Sequence, residues 1–197
     1  MKKGYTFTIL FIFVVTAFFT SILAVANSYY QDDINENEAL SNRRSVMYSF
    51  MGYYEETDDK VNSIYDTHVE ELEIDGEFVY AYIENSEVTA YTLPMSGSGL
   101  WGTITGYLAV SDDLSKIVGI DFMSHSETPG LGARIDEEWF KKQFQNLSFS
   151  LNSKLSLINQ GEGDIDAITG ATTTSRYVVQ LVDNTLEKYI KLLEVNR

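Results

Sequence analysis

The chain has 197 residues, with 14 lysines and arginines against 29 aspartates and glutamates, a formal net charge of −15. So acidic a surface repels phosphate backbones and argues against nucleic-acid binding. The lack of cysteine excludes disulfides, thiolate metal sites and cysteine nucleophiles, and two histidines, His68 and His125, with no HxxxH pair, make a poor zinc site. Redox chemistry in such a chain requires a borrowed organic cofactor.

The first element is a membrane segment. Residues 5–26, YTFTILFIFVVTAFFTSILAVA, run without a charge. As a helix they reach roughly 33 Å, against a hydrocarbon core of about 30 Å. Lys2 and Lys3 precede the run, and Asp32, Asp33, Glu36 and Glu38 follow it. That asymmetry puts the N-terminus in the cytoplasm and the remaining chain outside. Tyr29 and Tyr30 fall where interfacial aromatics belong. The small-x-small AVA at 24–26 also suits a cleavable signal peptide, but the apolar run is longer than a usual signal core. Either reading exports the domain. The chain therefore divides into an anchor, 1–30, and an extracytoplasmic domain, 31–197.

Beyond the anchor, 34–52 predicts a helix: Leu40, Met47 and Phe50/Met51 recur at helical spacing and Gly52 suits its end. The acidic stretch 53–63 reads as a turn or a solvated helix start. Strands are predicted over 76–83, where Phe78, Tyr80 and Tyr82 alternate with smaller residues, and over 102–110 and 116–123, joined by a hairpin at SDDLS. Residues 136–144 predict a short helix capped by Asp136, with Trp139, Phe140 and Phe144 on one face. Short alternating strands are predicted over 147–152 and 154–159. A last helix, about 174–195, buries Val178, Val182, Leu186, Tyr189 and Leu193. The pattern is α+β: a mostly antiparallel sheet flanked by helices, behind one N-terminal transmembrane helix.

The last helix opens with DAITGATTTS, 166–175, in which Thr169, Thr172, Thr173, Thr174 and Ser175 crowd the helix mouth. Gly170 permits a positive-φ turn. The helix start presents free backbone N–H groups and partial positive charge, a generic anion site. It is no P-loop, because the lysine and its spacing are missing. On spacing alone the hydroxyls also read as ordinary caps and turn residues.

The stretch resembles the flavinylation motif of the FMN-binding domain family: Asp, two variable residues, Ser or Thr, Gly, Ala, Thr. The matching positions are Asp166, Ala167, Ile168, Thr169, Gly170, Ala171 and Thr172, with Ala167 where glycine is more usual. SETPGLGARI, 126–135, is similar to a signature shared by the C-type subunit of sodium-translocating NADH:quinone reductases and the G-type subunit of Rnf complexes. LPMSGSGLWGTITGYLAV, 93–110, resembles a segment of the former, as more weakly does NRRSVMYSFMG, 42–52. The resemblance runs in matching order over roughly residues 5–190.

It implies FMN moved from FAD by a flavin transferase onto the hydroxyl of Thr172, giving a phosphoester. Asp166, Thr169, Gly170 and Ala171 complete that motif, and Thr173 beside it is counted with the cofactor-binding residues. It further implies that Trp101 and Leu131 flank the isoalloxazine while Glu127 and Thr128 line its polar edge. A flat apolar slot with phosphate donors nearby is what a flavin needs, whereas Phe78, Tyr80 and Tyr82 read as core or sheet surface. The implied role is a membrane-anchored electron carrier, the C-type subunit of a sodium-translocating NADH:quinone oxidoreductase, working with the other subunits of a membrane redox complex. Alternatives are a G-type subunit of an Rnf ferredoxin:NAD oxidoreductase, a free-standing carrier in extracellular electron transfer, and a non-redox module that binds a small anion. No acid–base constellation suggests hydrolysis, and no catalytic residue or metal ligand is singled out.

Overall fold

In the computed structural model, which describes residues 2–53, 57–158 and 163–196, the chain falls into two units, Met1–Ala39 and Leu40–Arg197. The first is helical. Its helix α1 (Lys2–Tyr29) carries the uncharged run, with Phe7, Phe13 and Leu23 exposed. The span Gly4–Tyr29 is long and apolar enough to cross a membrane.

The second unit takes up helix α2 (Gln31–Met51) from Leu40 onward. The helix stops at Gly52, as the sequence predicts: its φ is +75° and its N–H returns to the Tyr48 carbonyl at 2.7 Å. Within the stretch 53–63, residues 54–56 lie outside the described residues. From Asp58 it continues as helix α3 (Asp58–His68), with Asp58 and Asp59 in the first turn and Val61 and Tyr65 buried.

Five strands follow: β1 (Val69–Ile74), β2 (Glu77–Glu84), β3 (Glu87–Ser98), β4 (Thr103–Ser111) and β5 (Ile117–Ser124). They pair antiparallel in chain order, a meander. Strands β2, β4 and β5 and the hairpin at 111–115 match the sequence expectation; β1 and β3 were not foreseen. The smaller partners in β2 are the ones fully buried: Val79 and Ala81 join Leu93, Ile104, Leu108 and Val110 in the main core. Tyr80 and Tyr82 lie on the opposite face, with Val46, Met47, Tyr65 and Tyr107 beneath α2 and α3, while Phe78 is exposed. Helices therefore cover both faces of the sheet.

After β5 come a 3-10 turn (Gly132–Asp136), helix α4 (Glu138–Lys142) and helix α5 (Thr172–Asn196). Two sequence expectations for 136–144 fail. Asp136 caps nothing; Glu137 takes the N-cap position without a side-chain cap bond, and Asp136 pairs with His125. Phe140 and Phe144 are buried as expected, but Trp139 points outward, its ring N–H donating to Glu137. Lys141, on α4, is buried against Asp121 of β5 at 2.9 Å, with its ammonium 3.9 Å from the centre of the Tyr48 ring. That contact locks α4 to the sheet; removing one partner of such a pair typically costs about 3–5 kcal/mol.

The strands predicted at 147–152 and 154–158 do not form, and Asn159 lies outside the described residues. Single bridges stand there instead: Lys116 with Ser148, Ser150 with Ser153, and Leu157 with Ile165. Helix α5 buries Val178, Val182, Leu186, Tyr189 and Leu193 against the main core, as its spacing predicts. Each such side chain contributes on the order of 1.5–3 kcal/mol, so the mouth of α5 sits on a well-anchored helix.

Candidate functional site

Two glycine-rich turns and the mouth of α5 meet at one end of the sheet. The first turn joins β3 to β4. Gly99 N–H donates to the Gly102 carbonyl at 2.7 Å, leaving Leu100 and Trp101 at the tip. Both are exposed, Trp101 to 69%. The second turn follows β5. Pro129 and Gly130 (φ +73°) close it, with Leu131 N–H donating to the Thr128 carbonyl at 3.1 Å, the pattern of a type II turn. It displays Leu131, 44% exposed. Leu100, Trp101 and Leu131 are exposed together at the edge of one cleft, and such a grouping, unlike a single exposed side chain, suits a ligand or partner.

Glu127 holds these parts together. It is 5% exposed. One carboxylate oxygen accepts the backbone N–H groups of Leu100 (2.8 Å) and Trp101 (3.2 Å). The other accepts the Thr174 hydroxyl at 2.7 Å. The glycines are required by this closure. A Cβ on Gly99 would lie 2.5 Å from one Glu127 oxygen, and a Cβ on Gly132 would lie 2.7 Å from the other and from the Thr174 hydroxyl. Behind Glu127, His125 Nδ1 accepts the Glu127 N–H at 3.2 Å, which leaves the ring proton on Nε2 facing Asp136 at 2.8 Å. Glu127 thus turns inward as a brace, and the expectation that it lines a flavin's polar edge leaves out this work.

At the helix mouth, Gly170 takes φ +80°, and Leu131 packs so close that a Cβ there would sit 3.2 Å from its methyl. The Ser175 hydroxyl accepts the Ile168 N–H at 3.0 Å and donates to the Ala171 carbonyl at 3.1 Å. Thr174 and Ser175 are buried, whereas Thr169, Thr172 and Thr173 are exposed. The crowd of hydroxyls divides accordingly: two are structural, and three are open to a reactant. The N–H groups of Thr172, Thr173 and Thr174 come before Ser175, whose N–H is the first to donate along the helix, to the Ala171 carbonyl at 3.0 Å, so they stand free of intrahelical bonds at its positive end.

A cleft of about 250 Å³ lies where the three parts meet. Trp101, Glu127, Thr128, Leu131, Gly170, Ala171, Thr172 and Thr173 all line it, together with Leu100, Gly132 and Thr174. Two expected site residues lie outside it. Asp166 is exposed, its backbone clamped by Gln143: its N–H donates to the Gln143 amide oxygen at 2.7 Å and its carbonyl accepts from the amide nitrogen at 3.3 Å. Thr169 is exposed beside the Gly170 turn. Sequence reasoning missed the inward roles of Glu127, Thr174 and Ser175. The paired glycines at 99 and 132 were the available signal for a buried group between the turns.

The residues fit a flavin: a flat apolar group has Trp101 and Leu131 to lie against, and a phosphate has the N–H groups of the helix mouth. Comparison with known proteins agrees. Residues 99–187 match the FMN-binding domain family. The chain is 34% identical over 131 residues to the C-type subunit of the Na(+)-translocating NADH-quinone reductase of Chlamydia caviae, aligning 55% of this chain with 41% of that one. It is 34% identical over 121 residues to the G-type subunit of the ion-translocating oxidoreductase complex of Methanosarcina acetivorans, aligning 59% of this chain with 62% of that one. The chain thus spans less than two thirds of either relative's length. The crystal structure of the C-type subunit of the Na(+)-translocating NADH-quinone reductase from Parabacteroides distasonis has the same fold, with a TM-score of 0.71 over 83% of this chain and 96% of that one at 23% identity.

Proposed function

We propose, from the premise that residues 99–187 are an FMN-binding domain related to these C-type and G-type subunits, that the protein is a membrane-anchored flavoprotein electron carrier. In this reading FMN is bonded to Thr172, and the chain serves as the C-type subunit of a sodium-translocating NADH:quinone oxidoreductase. Residues 1–30 anchor it with the N-terminus in the cytoplasm, and 31–197 form the extracytoplasmic domain. The carrying observation is the position of Thr172: its side chain is exposed at the helix mouth and lines the cleft that Trp101 and Leu131 rim. Thr174 and Ser175 are buried and engaged, which favours an acceptor among the exposed hydroxyls.

Bound FMN supplies reversible one- and two-electron transfer. The chain's own residues hold it and leave an edge open. Trp101 and Leu131 present apolar faces, Thr128 and Thr173 offer polar contacts, and Gly170 and Ala171 let the ligand approach the backbone. A cleft of about 250 Å³ is small for a whole cofactor, so part of the ring stays accessible, as exchange with a partner requires. Attachment needs the Thr172 Oγ1–phosphorus bond to form and the pyrophosphate P–O bond of FAD to break. AMP leaves, and the hydroxyl proton passes to solvent. The tether keeps FMN local where a diffusible cofactor would be lost by dilution. A G-type subunit of an Rnf complex is the second reading, favoured by the larger share of the Methanosarcina relative that the chain covers.

Co-expression with a flavin transferase tests the proposal. The intact protein should gain the mass of FMN less water, on the peptide containing Thr172, and Thr172→Ala should abolish the gain while Thr173→Ala keeps it. Flavin mapped to Thr173 or Thr169 would refute the assignment. For topology, a protease added to spheroplasts should degrade the domain before lysis.

A further inference from the structure

Thr172 opens on a second cleft, which the flavin ring site does not use. Its volume is about 440 Å³, and it lies between the start of α5 and the segment facing it. Thr172, Arg176, Gln180 and Asp183 line it from the helix, and Lys154 and Ile158 from the other side. Where the ring cleft is rimmed by apolar tips, this one carries two cations and one carboxylate.

The cations matter because the chain has so few to spare. Most of the described ones are committed to carboxylates: Arg43 to Asp66, Arg134 to Glu137, Lys141 to Asp121, Lys188 to Glu77. Lys154 lies in the field of Asp183 and Glu187. Arg176 differs. It is exposed in the cleft wall, and among the described residues its side chain has no ion pair and no hydrogen bond. In a chain of net charge −15, Arg176 is the exception among the described arginines, the other three being paired with carboxylates, and it stands one helical turn after the exposed threonine. Residues four apart share a helix face, with Cβ atoms about 5–6 Å apart. A phosphorus esterified to Thr172 Oγ1 falls within reach of that side chain. Its two free oxygens share one negative charge, and a planar guanidinium fork matches such a pair better than an ammonium does.

We propose that Arg176 binds the phosphodiester joining FMN to Thr172, with Lys154 adding positive potential from across the cleft. This rests on the reading of Thr172 as the attachment site and extends it. Arg176 is then a positioning residue: pinning the phosphate in the charged cleft directs the ring into the apolar one.

The test uses the full chain, flavinylated by co-expression, as wild type and as Arg176→Gln, Arg176→Lys and Arg176→Glu. Intact mass is read first; wild-type protein with no flavin on Thr172 overturns both this proposal and the function it rests on. The phosphorus NMR resonance of the tether and the anisotropy decay of flavin fluorescence are then compared at low and molar salt. Arg176→Gln should shift the phosphorus resonance and add a fast rotational component, with little response to salt. Wild type should show part of that change at molar salt. Arg176→Lys should restore part of the wild-type behaviour, and Arg176→Glu should give the largest departure. Melting temperatures should stay the same, since Arg176 makes no described contact that holds the fold. Identical resonances and decays in flavinylated wild type and Arg176→Gln overturn the proposal alone. So does loss of flavin from both the Gln and Lys variants, which would place Arg176 in recognition by the transferase. Loss from Arg176→Gln but not from Arg176→Lys supports the counter-charge.

Discussion

The two clefts beside Thr172 are built by opposite means. The ring side is made by two short turns drawn around one buried carboxylate, with glycines wherever the backbone closes on it. Its walls are ordered by hydrogen bonds and its rim is apolar. The far side is made by an irregular segment joined to its surroundings by single bridges, and its lining includes Lys154, Arg176 and Asp183. Thr172 borders both. A shared threonine with an apolar slot on one hand and cations on the other can separate the two needs of a tethered cofactor, ring environment and phosphate charge. Changes on each side should therefore have different signatures.

The largest effect is expected at Glu127. Glu127→Leu keeps the bulk but removes the acceptor from Leu100 N–H, Trp101 N–H and the Thr174 hydroxyl together. A buried group left unpaired costs about 1–3 kcal/mol; the Thr174 hydroxyl is buried and the two N–H groups are partly buried, so the variant should lose at least about that much in a denaturant titration. Glu127→Gln, which retains one acceptor oxygen, should lose less. A Leu variant as stable as wild type would mean that the turns close without the carboxylate. Because Thr174 belongs to the first turn of α5, Glu127→Leu should also disturb the helix mouth. Thr174→Val should reproduce part of the loss, and the double variant should cost less than the sum.

How much of this was legible in the sequence depends on what each residue does. The helical spacing of α5 and the stop at Gly52 were readable because burial and backbone conformation are local demands. Strand β3 was not. It contains Pro94 and ends in SGS, both poor strand signals. The structure tolerates Pro94 because the paired register with β2 ends at Thr92, and Pro94 is paired only with Tyr107 of β4. At 147–158 the error ran the other way. Leu147, Phe149, Leu155 and Leu157 alternate because one side of an irregular segment packs on the core, and no neighbouring strand is present among the described residues to complete a ladder. Eight of the ten expected site residues line one cleft, although they come from three separated stretches. The inward turn of Glu127 left only an indirect trace, the glycines at 99 and 132 that its carboxylate requires, since a carboxylate in a glycine-rich loop reads the same whether it faces water or three donors.

A smaller effect, confined to the ring side, is expected from Trp101→Ala and Leu131→Ala. Both side chains are exposed turn tips, so the melting temperature should hold and flavin should remain on Thr172. The ring should meet more water, and its reduction potential should move by tens of millivolts; about 59 mV is a tenfold change for a one-electron couple. Spectroelectrochemistry reads this directly. Unchanged potentials in both variants would remove Trp101 and Leu131 from the ring site and leave the apolar rim without a purpose.

The smallest effect belongs to the charged side, at Asp183. Partial burial raises its carboxyl pKa above the ordinary value, and the hydrogen bond from Leu155 N–H, at 3.1 Å, only partly offsets the rise. A raised folded-state pKa means that the folded chain binds this proton more readily than the unfolded chain does. The stability it contributes is therefore full below the unfolded pKa, about 3.9 for an aspartate, and is lost as pH rises through the folded value. At neutral pH the ionised group is a modest liability. Asp183→Asn keeps an acceptor for Leu155 N–H and removes the charge. The variant should melt slightly higher than wild type at pH 7, and the advantage should shrink toward zero as pH falls below about 4. Melting curves of both proteins across that range check the sign. An Asn variant that is less stable at pH 7 would show that the carboxylate is held by its neighbours, Lys154 first among them, more strongly than burial penalises it. The charged cleft would then be a closed electrostatic unit with less positive potential to offer a phosphate.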